Sequence, residues 1–108
     1  MIARRRLELK PTREAITDLA EIRRTHEAAG EGITRALQEI QAHPRSGELK
    51  TGRLEGARSW EFFQTMQDDE PAGRIVYVIQ QHEIKIFAIH PDHDEAYKRA
   101  RKRAAKYL

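Results

Sequence analysis

Four side chains suited to one chemistry recur in a short stretch of this sequence: Arg74, His90, His93 and Tyr97. Cleaving RNA without a metal needs a base for the 2′-hydroxyl, an acid for the leaving 5′-oxygen and cations for the phosphorane charge. Histidine suits both proton roles, because its ordinary pKa lies near 6.5. A guanidinium holds a phosphate through two parallel hydrogen bonds. A tyrosine one turn into a helix can stack on a base or assist proton transfer. Lys50, Arg53, Arg58, Lys98 and Arg101 are the further cations expected to bind the phosphates of such a substrate. Each catalytic candidate also has a plainer role: the histidines as turn residues after a strand, Tyr97 as a core aromatic with a wet hydroxyl, Arg74 as a charge protecting a sheet edge. Trp60 reads as core before it reads as a nucleotide platform.

Other chemistries find little support. The chain has no cysteine, which removes disulfides and thiolates. Pro91 interrupts His90-Pro91-Asp92-His93, so two imidazoles one helical turn apart are not available to a metal. No phosphate loop or dinucleotide fingerprint occurs, and Ser46 and Ser59 lack a nucleophile context. No cofactor is expected.

The elements that must place these residues can be read from hydrophobic patterning. Ile75–Ile79 and Ile84–Ile89 are strand-length, rich in β-branched and aromatic residues, and apolar at nearly every position. That suits central strands covered on both faces. The link Gln80-Gln81-His82-Glu83 is short enough to make them an antiparallel hairpin, Gly73–Gln80 and Glu83–Ile89. With Gln80 facing Glu83, Arg74 is predicted opposite Ile89, next to His90. Leu7-Glu8-Leu9 predicts a short strand stopped by Pro11. Thr12 is placed to cap a helix with Ala15, Ile16, Leu19 and Ile22 on its apolar face, running to about His26–Ala29 and ending at Gly30. After a link at Gly30–Gly32, Ile33, Ala36, Leu37 and Ile40 predict a second helix, closed by His43-Pro44 and packed antiparallel on the first. Arg45–Lys50 reads as a loop, Arg58–Thr65 as a strand and Met66–Gly73 as an acidic loop. Asp92 or Asp94 can cap a last helix from Glu95 to about Lys106. The order is β-α-α-β-β-β-α, an α+β fold in which the strands after the helical hairpin form an antiparallel sheet. The 108 residues suit a single domain with one core.

The formal net charge of +3 says little, but its distribution says more. Lys98, Arg99, Arg101, Lys102, Arg103 and Lys106 face only Asp94 and Glu95 in the last segment, and Arg4-Arg5-Arg6 form a second basic cluster. Such asymmetry favours a polyanionic or acidic partner, set against the alternative of an ordinary solvated helix face. No long apolar run or signal-peptide pattern is present, so a soluble, cytoplasmic protein without a membrane partner is expected.

In this order the elements resemble the RelE/ParE superfamily, the toxins of bacterial type II toxin–antitoxin modules. The resemblance spans nearly the whole chain. It rests on the N-terminal strand, the helical hairpin ending at Pro44, Leu54-Glu55-Gly56 before the aromatic strand Trp60-Glu61-Phe62-Phe63, Gly73-Arg74-Ile75-Val76-Tyr77, and Tyr97 at the start of the last helix. It implies a growth-inhibiting toxin whose partner is a small, acidic, partly disordered antitoxin. RelE-like members are ribosome-dependent endoribonucleases that cleave mRNA; ParE-like members inhibit DNA gyrase. Arg74 matches the catalytic arginine of the ribonuclease branch and Tyr97 its tyrosine. The strand Trp60–Phe63 carries no lysines where the best-known ribonucleases place two, and His90 to His93 stand where those enzymes carry basic residues. The expectation is a metal-independent mRNA endoribonuclease, with a gyrase inhibitor or a non-catalytic nucleic-acid-binding domain as the alternatives.

Overall fold

A computed structural model describes residues 6–65 and 67–108. Arg4 and Arg5 of the basic N-terminal cluster lie outside the described residues, as does Met66. The elements are β1 (Glu8–Pro11), α1 (Arg13–Thr25), α2 (Gly30–Ala42), β2 (Glu48–Leu49), β3 (Arg58–Phe62), β4 (Gly73–Gln80), β5 (Glu83–His90) and α3 (His93–Tyr107). The strands form one sheet in the order β1-β5-β4-β3-β2. The class is α+β, but the sheet is mixed: β1 runs parallel to β5, and the remaining pairings are antiparallel.

Two apolar layers cover the sheet. Ile75, Tyr77, Ile84, Ile86 and Ile89 pack with Ala15 and Ile22 of α1 and Ile33, Ala36 and Ile40 of α2. Val76, Val78, Phe87 and Ala88 pack with Ala100 and Ala104 of α3 and with Leu54 and Ala57. This double burial explains why β4 and β5 are apolar at almost every position. Alanines at 96, 100 and 104 repeat once per turn and are buried, which lets the backbone of α3 lie close to the sheet.

The hairpin pairs Gln80 with Glu83 as expected, but its far end is shifted. Val76 faces Ala88 and Tyr77 faces Ile86, so Phe87 is an extra residue, a β-bulge. The bulge moves Arg74 from Ile89 to a position directly opposite His90. Phe87 and Ala88 both join the α3-side layer, whereas Ile86 and Ile89 join the other.

Several expectations need correction. Gly30 and Gly32 do not link the helices. Helix α1 ends at His26, a 3-10 turn covers Glu27–Ala29, and α2 begins at Gly30 with helical φ and ψ of −57° and −42°. Gly32 is needed for another reason: a Cβ there would strike the backbone carbonyl of Phe63, so α2 crosses the end of β3 closely. Strand β3 ends at Phe62, earlier than expected, and the two-residue β2 lies within the predicted loop. Asp92 caps α3, its Oδ2 accepting the Glu95 N–H at 2.9 Å, so the helix starts at His93. Ile16 is exposed, although Leu19, Leu37 and Ile40 do pack on the core.

The position expected of Ile16 on the inner face of α1 is taken by Asp18, which is buried between Ala15 and Ile22. Its Oδ2 accepts the Ile89 N–H at 3.0 Å and Arg103 Nη1 at 2.7 Å. Its Oδ1 accepts Arg99 Nη1 and Arg103 Nη2, each at 3.0 Å. Arg103 also donates to the Phe87 carbonyl at 2.9 Å. Strand β1 pairs with β5 only as far as Ile86, so these two side chains satisfy backbone groups that β1 no longer reaches.

Removing one member of such a network leaves buried charges unpaired. Asp18→Ala should destabilise the fold by about 3–5 kcal/mol. Ile86→Ala should cost about 2–5 kcal/mol, and Ile16→Ala less than about 0.5 kcal/mol, as at a surface site. Urea unfolding of the three variants gives the ranking, and an Asp18→Ala loss no larger than that of Ile16→Ala would contradict it.

Candidate functional site

The α3-facing side of the sheet brings part of the expected set together. Ser59 of β3 lies opposite Val76 of β4, and one rung further Glu61 lies opposite Arg74, which in turn faces His90 of β5. Consecutive rungs on one face are two residues apart, about 7 Å. Helix α3 places Tyr97 above the first rung. The Tyr97 hydroxyl donates to Ser59 Oγ at 3.0 Å and accepts from Lys50 Nζ at 3.3 Å. Lys50 Nζ also lies 4.6 Å from the centroid of the Tyr97 ring, within cation–π range. Lys50 follows β2 and is fixed by its backbone, which donates to the Ala57 carbonyl at 3.0 Å. His93 stands edge-on to Tyr97 with ring centroids 4.8 Å apart, and its Nδ1 is 2.9 Å from Asp94 Oδ1. The cluster is thus Lys50, Ser59, His93 and Tyr97, with Arg74 on the adjacent rung.

Ser59, which has no nucleophile context in the sequence, is buried, and its hydroxyl is the contact that orients Tyr97. Alternation along β3 was the available signal: it puts Trp60 and Phe62 on one face and Ser59 with Glu61 on the other, the face of Val76 and Arg74. Lys50 supplies, from a separate loop, a lysine beside the tyrosine that Trp60–Phe63 does not carry.

Arg74 is largely enclosed. Its Nη1 donates to the Pro71 and Gly73 carbonyls, and its Nη2 lies 3.7 Å from Glu61 Oε1. His90 is only 9% exposed and its ring sits edge-on to His26, with centroids 5.6 Å apart. Its Nδ1 accepts the Asp92 N–H at 2.9 Å, which leaves the remaining proton of the neutral ring on Nε2. Burial, aided by the Arg99 charge, pushes the His90 pKa below its ordinary value. In this arrangement His90 holds the turn that launches α3.

The remaining cations separate into two groups. Arg58 Nη1 donates to the Arg45 and Gly47 carbonyls at 2.8 and 2.9 Å and fastens the chain before β2. Arg99 joins Asp18, Glu21 and Glu95; Arg103 joins Asp18; Lys106 Nζ lies 2.9 Å from Glu14. Lys98, Arg101 and Lys102 are exposed, as is Arg53 in the 3-10 turn Gly52–Leu54 packed beside α3. None of these four forms an ion pair among the described residues. The basic excess seen in the sequence is therefore halved at the surface of α3, because three of its six cations serve the fold. Trp60 is half-buried against the core, and its Nε1 donates to Glu39 Oε2 at 3.2 Å.

Among the described residues, no helix is long and apolar enough to cross a membrane, and no group of three or more His, Asp or Glu side chains is arranged to hold a metal. No protein-family model matches the chain, and no curated protein is significantly similar to it.

The lowered His90 pKa fixes a direction for pH dependence. Well above pH 6.5 the ring is neutral in both folded and unfolded chains and contributes no slope. Below that value the unfolded chain takes up the proton more readily, so stability should fall as the pH drops toward 5. Hydrogen bonds from Arg99 depress the Glu21 and Glu95 pKa values, and those from Tyr107 and Lys106 bring Glu14 to about 2. These carboxylates add a second loss below about pH 4.5. His90→Asn keeps an acceptor for the Asp92 N–H but does not titrate. Urea unfolding at pH 7, 6 and 5 should show a shallower decline for this variant, by up to about 1.4 kcal/mol per pH unit. An identical slope in parent and variant would exclude His90 as its source.

Proposed function

We propose that this chain is the toxin of a type II toxin–antitoxin module, with a RelE/ParE-like fold, and that it cleaves mRNA on the ribosome without a metal. The observation that carries the reading is the Lys50 ammonium held on the hydroxyl of Tyr97, with Arg74 one rung away on the same face. In such a site Arg74 and Lys50 stabilise the phosphorane charge. Tyr97 and the exposed His93 stand beside them for base stacking and proton transfer. Arg53, Lys98 and Arg101 extend the positive surface along which an RNA backbone would run. Arg58 and His90 then act by shaping the site. The partner in this reading is a small acidic antitoxin, a partly disordered segment that folds over the exposed cations of α3.

A second reading draws on the enclosure of Arg74. Its contacts with Pro71, Gly73 and Glu61, together with the burial of His90, leave fewer groups free for proton transfer. A toxin whose ribonuclease set has turned to structural duty would fit a ParE-like inhibitor of DNA gyrase.

Ribosome-programmed mRNA cleavage by protein stripped of metals with EDTA, the chelator then removed, separates these readings. Arg74→Ala and Lys50→Ala should each slow cleavage by roughly 10²–10³-fold, the scale for loss of one oxyanion donor. Tyr97→Phe retains the ring and tests the hydroxyl alone. Lys106→Ala, at the far end of α3, should have only a modest, salt-dependent effect. Thermal melting of each variant guards against unfolding. Intact RNA with the parent protein, accompanied by loss of DNA supercoiling by gyrase, would replace the first reading with the second. Bound but uncleaved RNA without toxicity would leave a non-catalytic nucleic-acid-binding domain.

A further inference from the structure

Strand β2 is the outer edge of the sheet and contains only Glu48 and Leu49. Its neighbours continue it: Gly47 (φ −65°, ψ 150°) and Thr51 (φ −125°, ψ 178°) are also extended. The Lys50 N–H donates to the Ala57 carbonyl, and Glu48 lies opposite Ser59, so the backbone groups of residues 48 and 50 face β3. Those of Leu49, between them, face away from the sheet. Leu49 is 61% exposed, more than any other large apolar residue among those described.

We propose that two copies of the chain pair through this edge, β2 against β2, antiparallel about a two-fold axis at Leu49. Each Leu49 then donates its N–H to the carbonyl of the other, the closely hydrogen-bonded pair of an antiparallel ladder. The same register sets Glu48 of one copy opposite Lys50 of the other, twice over, so each Glu48, already 3.6 Å from Lys50 of its own chain, gains a second cation. A short charged edge ordinarily resists pairing, because like charges meet. Here the two signs flank the axis, so antiparallel pairing brings opposite charges together and covers two exposed leucines. The contact is isologous and closes on itself, giving a dimer and not a filament. It is also small, which places it among weak, transient associations. Lys50 already bonds Tyr97, so the second copy's Glu48 arrives beside that cluster. The pairing stands whether or not the cluster is catalytic.

Sedimentation equilibrium from roughly 10 μM to 1 mM spans the range in which weak association shows. The parent chain should be monomeric at the low end and dimeric toward the high end. Glu48→Lys sets lysine against lysine at both positions and should weaken the dimer by about tenfold. The double exchange Glu48→Lys with Lys50→Glu should restore it. Leu49→Pro removes the N–H at the axis and should leave a folded monomer, as checked by thermal melting. Should Leu49→Pro disturb the fold, the charge exchange decides. A parent chain that stays monomeric throughout would overturn the proposal. So would a dimer indifferent to Glu48→Lys, or one that the double exchange fails to recover.

Discussion

The position of α3 depends on one buried carboxylate. Asp18 lies on the inner face of α1 and joins three elements, taking hydrogen bonds from Arg99 and Arg103 of α3 and from the Ile89 N–H of β5. An isolated carboxylate in such a place would be very costly, and the cost is offset because donors occupy both oxygens. The network stands where the sheet needs it. Strand β1 stops beside Ile86, the bulge follows at Phe87, and Arg103 and Asp18 take over the backbone groups beyond. A hydrophobic pair could fill the same volume but could not satisfy those groups.

The candidate site inherits this anchoring. Arg99 and Arg103 lie one turn apart on α3, and Tyr97 lies two residues before Arg99, facing the other side of the helix toward Lys50 and Ser59. Fixing the arginines against α1 therefore sets the rotation of α3 and aims Tyr97 at the sheet. At the helix start, the Asp92 cap and the His90 ring hold the turn through neighbouring backbone amides. Geometry at Tyr97 is thus fixed by charged contacts on one flank and by the Ala96, Ala100 and Ala104 stripe beneath.

Much of this was legible in the sequence, and the rest failed for physical reasons. The hairpin could be read because double burial makes both strands apolar throughout. The bulge could not, since an extra Phe87 in a continuous apolar run leaves no mark in the pattern, and the predicted partner of Arg74 slipped by one residue. On α1 the apolar stripe suggested Ile16, whereas the inner face runs through Ala15, Asp18 and Ile22. A buried charge reads as a surface residue until its partners are known, and these lie about eighty positions away. Lys50 reads in the sequence as a cation, but its contact with Tyr97 depends on two loops and on the rotation of α3. The short β2 has neither the length nor the alternation from which a strand is recognised.

The basic last segment shows why a charge count is a poor proxy for a binding surface. Arginine, with its planar fork, is the residue that turns inward: Arg99 spans Asp18, Glu21 and Glu95, and Arg103 bridges Asp18 and a backbone carbonyl. The strongly hydrated lysines at 98 and 102 stay outside with Arg101. This follows from chemistry, since a guanidinium sheds water more readily and satisfies several acceptors at once. The inward cations are already neutralised at short range and add little to the field felt by a partner. The outward ones, adjoined by Arg53, form the positive surface that remains, beside the sheet face that bears Arg74. The same helix thus carries the charges that hold the fold and those available for recognition, on faces set apart by the period of the helix.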